Sequence, residues 1–404
     1  MTNQDQKASK RLNAWYCAGQ AFYFGMFCAA IGYASVYLLH KGFTNSQIGI
    51  ILALGNLFAM ILQPIFASWS DDHPEVPLHR SVACMGAITA ALIFAISAIP
   101  MARVLLAIIF VLAMTLIMTV MPLMNSLAFV YEPQGIKVDF GIGRGFGSGF
   151  YALSSLVIGN LSDSISPEII PIFAAVSTVL LTIAVIFYRL PDTDHGKPRQ
   201  RMARKTDNGQ MSFVEFTKHY KVFMIFLIGI MLVYLDHMFI NNFFYQIITP
   251  IGGTSVEMGY AISLAAVLEV PIMFLFHKIA KKCKCTTILK FSMIMYVIKH
   301  ALTWFAMNMT MIYIAQALQM LAYALMCPAL VYYVNEIIDQ KDLVKGQSMS
   351  NVSMTAAGII ADVLGGVMID SVGVHTALFI TLVLTIIGAA IIFATADKTK
   401  VIQR

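Results

Sequence analysis

The sequence predicts an all-α membrane protein, with twelve transmembrane helices in two pseudo-symmetric six-helix bundles. Three observations carry that expectation. Of 404 residues, 59% are hydrophobic and 12% charged, against about 25% charged in soluble domains. With a mean hydropathy of +0.76, no water-soluble core can hide so much apolar sequence, so the solvent is lipid. Apolar runs long enough to cross a bilayer, about 20 residues each, recur along the chain, and a polar, basic break over 190–219 divides them six and six.

Taken in order, the first thirteen residues are polar and the run at 14–39 is too long for the apolar core of a cleaved signal, so it reads as a retained helix. Spans follow near 46–69, 81–100, 103–130, 141–163 and 168–189. After the break come 220–247, 257–278, 286–306, 309–334, 346–369 and 374–395. The expected domains are an N-terminal bundle over 1–189, a cytoplasmic basic linker over 190–219 and a C-terminal bundle over 220–404. The second and eighth spans both carry a proline step, Leu62-Gln63-Pro64 and Leu268-Glu269-Val270-Pro271. The fifth and eleventh both end Gly-x-x-x-Asp, at Gly159–Asp163 and Gly366–Asp370. Equivalent positions in equivalent order are the pattern of parallel copies related by an axis along the membrane normal.

Lysine and arginine set the orientation. With the N-terminus inside, the inner segments hold Lys7, Lys10, Arg11, Arg80, Lys137, the 190–219 cluster, Lys278, Lys281, Lys282, Lys284, Lys341 and Lys345, and the outer ones only Lys41 and Arg103. Both termini are therefore expected in the cytoplasm of a multi-pass cell-membrane protein. The net charge of +6 reflects topology and contact with the inner leaflet, not nucleic-acid binding. Of six cysteines only Cys283 and Cys285 are close, and their spacing is not the CxxC of a metal or redox site. No cofactor or metal is expected.

The fifth span opens with five glycines at alternate positions, Gly141 to Gly149, around Arg144. Gly141, Gly145 and Gly149 share one helical face, and Gly143 and Gly147 an adjacent one. Small residues at this spacing let helices approach closely in lipid. A phosphate loop is excluded by the absence of GxGxxG or Walker spacing. A charge at mid-membrane costs about 2.5–3.5 kcal/mol on insertion scales. Arg144 either snorkels to the inner interface or faces a polar cavity, poised for a bidentate contact with a ligand.

The other intramembrane ionisable residues are Asp236-His237 in the seventh span, Glu269 in the eighth, Lys299-His300 in the ninth and Asp362 in the eleventh. They read either as a structural ion-pair network or as a proton site whose carboxylate moves relative to its cation. Glu269 is the first candidate for that site, because Pro271 could break the helix beside it. Asp236 is the second, Lys299 the counter-charge and Asp362 a further acid. Adjacent residues point to different faces, so one of each His pair at most faces a common cavity. Tyr23, Asn56, Gln63, Asn241 and Asn242 are polar groups that line a cavity or bond neighbouring helices. Asp163 and Asp370 read as interface residues or caps, Tyr332 and Tyr333 as packing, and Glu132 and Glu336 as gating candidates.

"DFGIGRGFGSGFYALSS" (139–155) resembles the fifth-helix segment of the oligosaccharide/proton symporter group, the lactose-permease family of the major facilitator superfamily. "LFAMILQPIFASWSD" (57–71) resembles its second helix, "LDHMFINNFF" (235–244) its seventh and "VLGGVMIDSVG" (363–373) the end of its eleventh. The resemblance implies the major facilitator fold and alternating access. It places Arg144 at the family's sugar-contacting arginine and Tyr151 at the tryptophan that stacks on the sugar. The family's helix 4 acid falls on Ser126, beside Asn125, and its coupling His and Glu fall on Gln319 and Ala322. Neither galactoside recognition nor that relay is carried over. The loop motif after the second helix is degraded to "ASWSDDHPEVPLHR", keeping Asp71.

The resulting expectation is a monomeric secondary transporter in the lipid bilayer, not an enzyme. It couples protons to a small hydrophilic solute such as a sugar or glycoside. Arg144, Tyr151 and Asn125 bind solute; Glu269, Asp236, Lys299 and Asp362 couple protons. Transport of nucleosides or aromatic acids, and a non-transporting sensor on the same fold, stay open as alternatives.

Overall fold

A computed structural model describes residues 3–73, 75–190 and 212–398. Most of the expected linker, and the end of the C-terminal tail, lie outside the described residues, as does the side chain of Asp71. All regular structure among the described residues is helical.

The helices are α1 (Asn3–Phe27), α2 (Ala34–His40), α3 (Asn45–Asp72), α4 (Leu78–Ala98), α5 (Arg103–Leu127), α6 (Phe140–Ser164), α7 (Ile169–Phe187) and α8 (Phe213–His219). They continue with α9 (Lys221–Asn242), α10 (Phe244–Ile248), α11 (Ser255–Ala280), α12 (Cys285–Trp304), α13 (Met309–Ala317), α14 (Gln319–Ile337), α15 (Leu343–Val372) and α16 (Val374–Thr395). Among the described residues ten spans are long and apolar enough to cross a membrane, or eleven when the bent pair at the start counts as one. Helix α6 is not among them, because its glycines, serines and Arg144 dilute its apolar character.

Three of the expected passages are interrupted, the first, the seventh at Phe243 between α9 and α10, and the tenth, and none of these is the break the prolines suggested. The first bends by 45° between Gly32 and Ala34, after one π-helical turn at Cys28–Gly32. Such turns insert a residue into the hydrogen-bond ladder and recur at functional sites. The tenth passage is interrupted at Leu318, between α13 and α14. Helix α11, by contrast, runs unbroken through Pro271. The proline only deprives the Val267 carbonyl of its usual donor, so the expected break beside Glu269 does not form.

Polar residues at the ends decide where helices begin. The Asp139 carboxylate accepts from Ile142 N at 2.9 Å and opens α6. Reciprocal capping boxes, Ser212 with Glu215 and Thr254 with Glu257, open α8 and α11. The first of these starts a helix inside the segment expected to be linker. Between α15 and α16 stands Gly373 alone, at φ 80°; a side chain there would be strained, so this turn needs glycine.

The chain divides into two compact units, Met1–Phe43 with Ile51–Arg204, and Thr44–Ile50 with Lys205–Arg404. Within the first, α1 packs on α6 and α7, and α4 on α5 and α7. Within the second, α9 packs on α15 and α16, and α12 on α14 and α16. The same passages pair in the same order in each, which is how an internal repeat appears in packing. In the second unit α9 and α16 meet backbone to backbone: a Cβ on Gly229 would stand 2.9 Å from the Gly388 carbonyl, and one on Gly388 2.7 Å from that of Gly229.

Candidate functional site

In the first unit the polar residues gather on α1. Gly143 and Gly147 of α6 lie directly against it, since a Cβ on Gly143 would fall 2.3 Å from the Tyr16 ring and one on Gly147 2.5 Å from the Phe24 ring. Nothing lies within 4 Å of a Cβ on Gly145 or Gly149. Of the two glycine faces, only the Gly143/Gly147 face makes the close approach; the expectation for the other face is corrected. The N-terminus of α6 is also tied down there, as Asn13 Oδ1 accepts from Asp139 N at 2.7 Å.

This approach sets the Arg144 guanidinium on the face of Phe24, 4.4 Å from the ring centroid. Its Nη1 is buried and has no hydrogen-bond partner among the described residues. The arginine is thus held by an aromatic face rather than by an acid. Gln20, one turn before Phe24, donates to Tyr16 Oη at 2.8 Å and to Asn125 Oδ1 at 3.4 Å. Tyr151 lies two turns after Arg144, its ring edge-on to Phe24 at 6.5 Å and tilted against Phe27 at 6.4 Å. Its hydroxyl would sit 3.3 Å from a Cβ on Gly32, in the π-helical turn. Arg144, Tyr151 and Asn125 therefore surround one stretch of α1, from Tyr16 to Phe27. Such a wall offers two chemistries together: flat aromatic faces, and a guanidinium fork with amide groups that bond polar substituents.

In the second unit the ionisable residues form two adjoining networks. One joins α12, α14 and α11. Lys299 donates to Gln319 Oε1, and Gln319 and the Lys299 charge both lie close to the Glu269 carboxyl. Lys299 and Gln319 are buried. The other joins α9, α12 and α16. His300 Nδ1 is 2.7 Å from Asp236 Oδ2, with both side chains 1% exposed. Thr385 Oγ1 donates to the same carboxylate oxygen at 2.8 Å. The direct partner of Asp236 is therefore His300, and Lys299 stands near it as a charge, as it does to Glu269. Between the networks lies His237, stacked on Tyr323 at 5.1 Å, edge-on to Tyr296 at 5.6 Å and bonded to Asn241 at 3.1 Å.

Asp362 sits elsewhere. It accepts from Asn242 Nδ2 at 2.5 Å, and its backbone carbonyl would stand 2.1 Å from a Cβ on Gly49. Asn242 is two turns of α9 beyond Asp236, about 9 Å along the axis. Its side chain thus meets α9 at Asn242, and its backbone packs against the start of α3 at Gly49.

The remaining expectations resolve residue by residue. Tyr23 is fully buried and donates to the Ile117 carbonyl at 3.0 Å, and Gln63 donates to that of Met118 at 3.0 Å; both tie helices together. Asp370 caps α3, accepting from Ser46 N at 2.7 Å, Ser46 Oγ at 2.6 Å and Asn45 Nδ2 at 2.8 Å. Glu336 accepts from Cys285 Sγ at 3.2 Å, and Tyr333 packs on Phe226. Gln20, Phe24, Thr385 and Tyr323 are site residues that the sequence did not single out. The one available signal was the Tyr16, Gln20, Phe24 spacing, a single helical stripe.

Known proteins bear on this arrangement. A model of the MFS_1 like family matches residues 15–400. Among curated proteins, the chain is 24% identical over 408 residues to a maltose permease of Geobacillus stearothermophilus, covering 96% of this chain and 97% of that protein. It is also 24% identical over 330 residues to the uncharacterized transporter YwbF of Bacillus subtilis (strain 168), covering 80% and 78%. Among solved structures, the nucleoside transporter NupG superposes with a TM-score of 0.76 at 15% identity, over 97% of this chain and 100% of that one. A bacterial homologue of the lysosomal transporter Spinster superposes with a TM-score of 0.67 at 13% identity, over 99% and 98%.

Proposed function

The chain belongs to the MFS_1 like family of transporters, and from that premise we propose that it is a proton-coupled symporter of a small hydrophilic solute, a sugar or glycoside. The observation that carries this reading is Arg144, seated on Phe24 with an unpartnered Nη1, beside Tyr151 and the Gln20–Asn125 pair. A sugar ring presents apolar C–H faces to an aromatic wall and hydroxyl pairs to a guanidinium fork. Arg144, Tyr151 and Asn125 bind the solute, with Gln20 and Phe24 holding them in place. The maltose permease likeness supports the same solute class.

Coupling rests on the second unit. Glu269 stands close to Lys299 and to the Gln319 that Lys299 bonds, so a proton taken by the carboxyl removes one charge from a pair that is otherwise balanced. Asp236 is the second acid of this set, and Asp362 is a positioning residue through Asn242. The protein acts as a monomer in the cell membrane with both termini in the cytoplasm, and rocking bundles give alternating access. A second reading, a nucleoside as solute, is favoured by the likeness to NupG and by aromatic faces that would stack a base as readily as a sugar.

The test uses purified protein in liposomes enclosing a pH-sensitive dye. Maltose, other mono- and disaccharides, nucleosides and aromatic acids are added outside in turn, with Glu269→Gln alongside. Internal acidification driven by a sugar and absent in the variant is the expected result. Acidification by nucleosides alone selects the second reading. Equal acidification in Glu269→Gln removes Glu269 from coupling, and no response to any solute, from folded protein, overturns symport.

A further inference from the structure

The Asp236–His300–Thr385 group has a feature that the solute-linked network lacks: its hydrogen-bond pattern fixes which ring nitrogen of the histidine is free. Thr385 Oγ1 gives its only proton to Asp236 Oδ2 at 2.8 Å. His300 Nδ1 lies 2.7 Å from that same carboxylate oxygen and 3.0 Å from Thr385 Oγ1. Both neighbours of Nδ1 therefore present lone pairs, so Nδ1 carries the hydrogen and donates it. Nε2 is left with its lone pair, buried and without a hydrogen-bond partner among the described residues. Buried polar atoms without partners are rare and call for a reason.

Resting on the proton-coupled reading above, we propose that His300 Nε2 is a proton-binding site, separate from Glu269, with Asp236 and Thr385 as the groups that fix its tautomer. The balance is simple. Without the proton, a neutral imidazole faces a carboxylate and the pair carries one net negative charge. With it, Nε2–H forms, no other bond breaks, and the pair becomes imidazolium and carboxylate with no net charge. The unprotonated pair thus leaves one buried negative charge uncompensated, and the protonated pair leaves none.

The surroundings fit a site that senses the solute network without belonging to it. Facing the pair from α9 are His237 and Tyr234, and from α12 Lys299 and Tyr296. Tyr323 and Cys327 of α14 and Glu269 of α11 stand beyond them. The Tyr296 ring touches both histidines, at 5.4 Å from His300 and 5.6 Å from His237. Tyr296 Oη, His237 Nδ1 and Asp236 Oδ1 are also buried and without partners among the described residues. The Tyr296 ring thus stands between the Asp236–His300 group and His237, while Lys299 adjoins His300 along α12.

The test is nitrogen-15 NMR of histidine-labelled full-length protein in lipid. The His300 resonances are those lost in His300→Gln, and, should that variant not fold, those displaced by Thr385→Val. The expected spectrum shows Nδ1 protonated throughout, with Nε2 moving from the unprotonated to the protonated range as the pH is lowered. Asp236→Asn should change the tautomer or shift that transition. An Nε2–H tautomer, an Nε2 that gains no proton down to the acid limit of the folded protein, or a transition unmoved by Asp236→Asn overturns the proposal. None of these readings needs a solute. In liposomes with maltose as the probe, His300→Gln should lose solute-driven acidification to a greater degree than maltose exchange across the membrane. A wild-type protein that ignores maltose counts against the sugar reading, while the NMR result still decides the histidine.

Discussion

Gly147→Ala adds one methyl group where α6 meets α1, and its cost can be worked from the packing. The new Cβ would fall 2.5 Å and 3.0 Å from two carbons of the Phe24 ring and 3.4 Å from the Gln20 carbonyl. The nearest contact lies roughly 1 Å inside van der Waals separation. The ring must move, or the helices must part. Overpacking of this kind costs about 1–3 kcal/mol. Moving the ring also weakens the Arg144 contact at 4.4 Å, an interaction worth about 0.5–2 kcal/mol. Replacing glycine by alanine inside a helix returns about 1 kcal/mol. The net expectation is a destabilisation on the order of 1–3 kcal/mol, together with weaker solute binding. Gly145→Ala makes the comparison, because nothing lies within 4 Å of its Cβ; only the helix gain of up to about 1 kcal/mol remains. Thermal unfolding of both variants in one detergent, followed by tryptophan fluorescence, should rank Gly147→Ala below wild type and Gly145→Ala at or above it. Equal melting of the two variants would refute the assignment of the packed face.

Three further outcomes are expected. Asp370→Ala removes the acceptor of the α3 cap and should cost about 0.5–2 kcal/mol, read as faster amide exchange at Ser46 with no change in the α5 amides. The Glu215 carboxyl is held below its ordinary 4.5 by hydrogen bonds from Ser212. Its depressed value means that its contribution is present above pH 4.5 and is lost as the pH falls through the folded-state value, so the Ser212 amide should lose protection in acid and a Glu215→Gln variant should not show that transition. Lys290→Ala breaks an ion pair to Asp397, whose side chain is 63% exposed; stability should change by no more than about 1 kcal/mol, and a larger drop in melting temperature would show that the pair is structurally coupled to α12.

The order of helical passages was legible because lipid leaves few options: backbone groups must bond within each segment, and the apolar runs mark the segments. What was not legible depended on neighbours that sequence spacing does not name. Five alternate glycines offer two small faces, and only the position of Tyr16 and Phe24 on α1 selects Gly143 and Gly147. Pro271 looked like a break and is not one, while Tyr33, Phe243 and Leu318 stand where passages are interrupted. Asp236 and Lys299 looked complementary by charge; the register of α9 against α12 and α16 instead delivers His300 and Thr385 to the carboxylate. Gln20 lay on a stripe with Tyr16 and Phe24, but the spacing names no partner, and its role appears only when α5 brings Asn125 within 3.4 Å.

The pairing of adjacent residues has a mechanical consequence. Asp236 and His237 follow each other on α9, as do Lys299 and His300 on α12, and neighbours on a helix point about 100° apart. One residue of each pair enters the Asp236–His300 group. The other faces the side where Lys299 meets Gln319 and His237 stacks on Tyr323. A turn of α12 about its own axis cannot carry Lys299 away from Gln319 without also moving His300 against Asp236. Lys299 and His300 are therefore joined through a single peptide unit. A shift of one becomes a shift in the partner of the other without a longer chain of contacts. Under the proposed symport, this linkage makes the state of the Asp236–His300 pair and the position of Lys299 beside Glu269 change together or not at all.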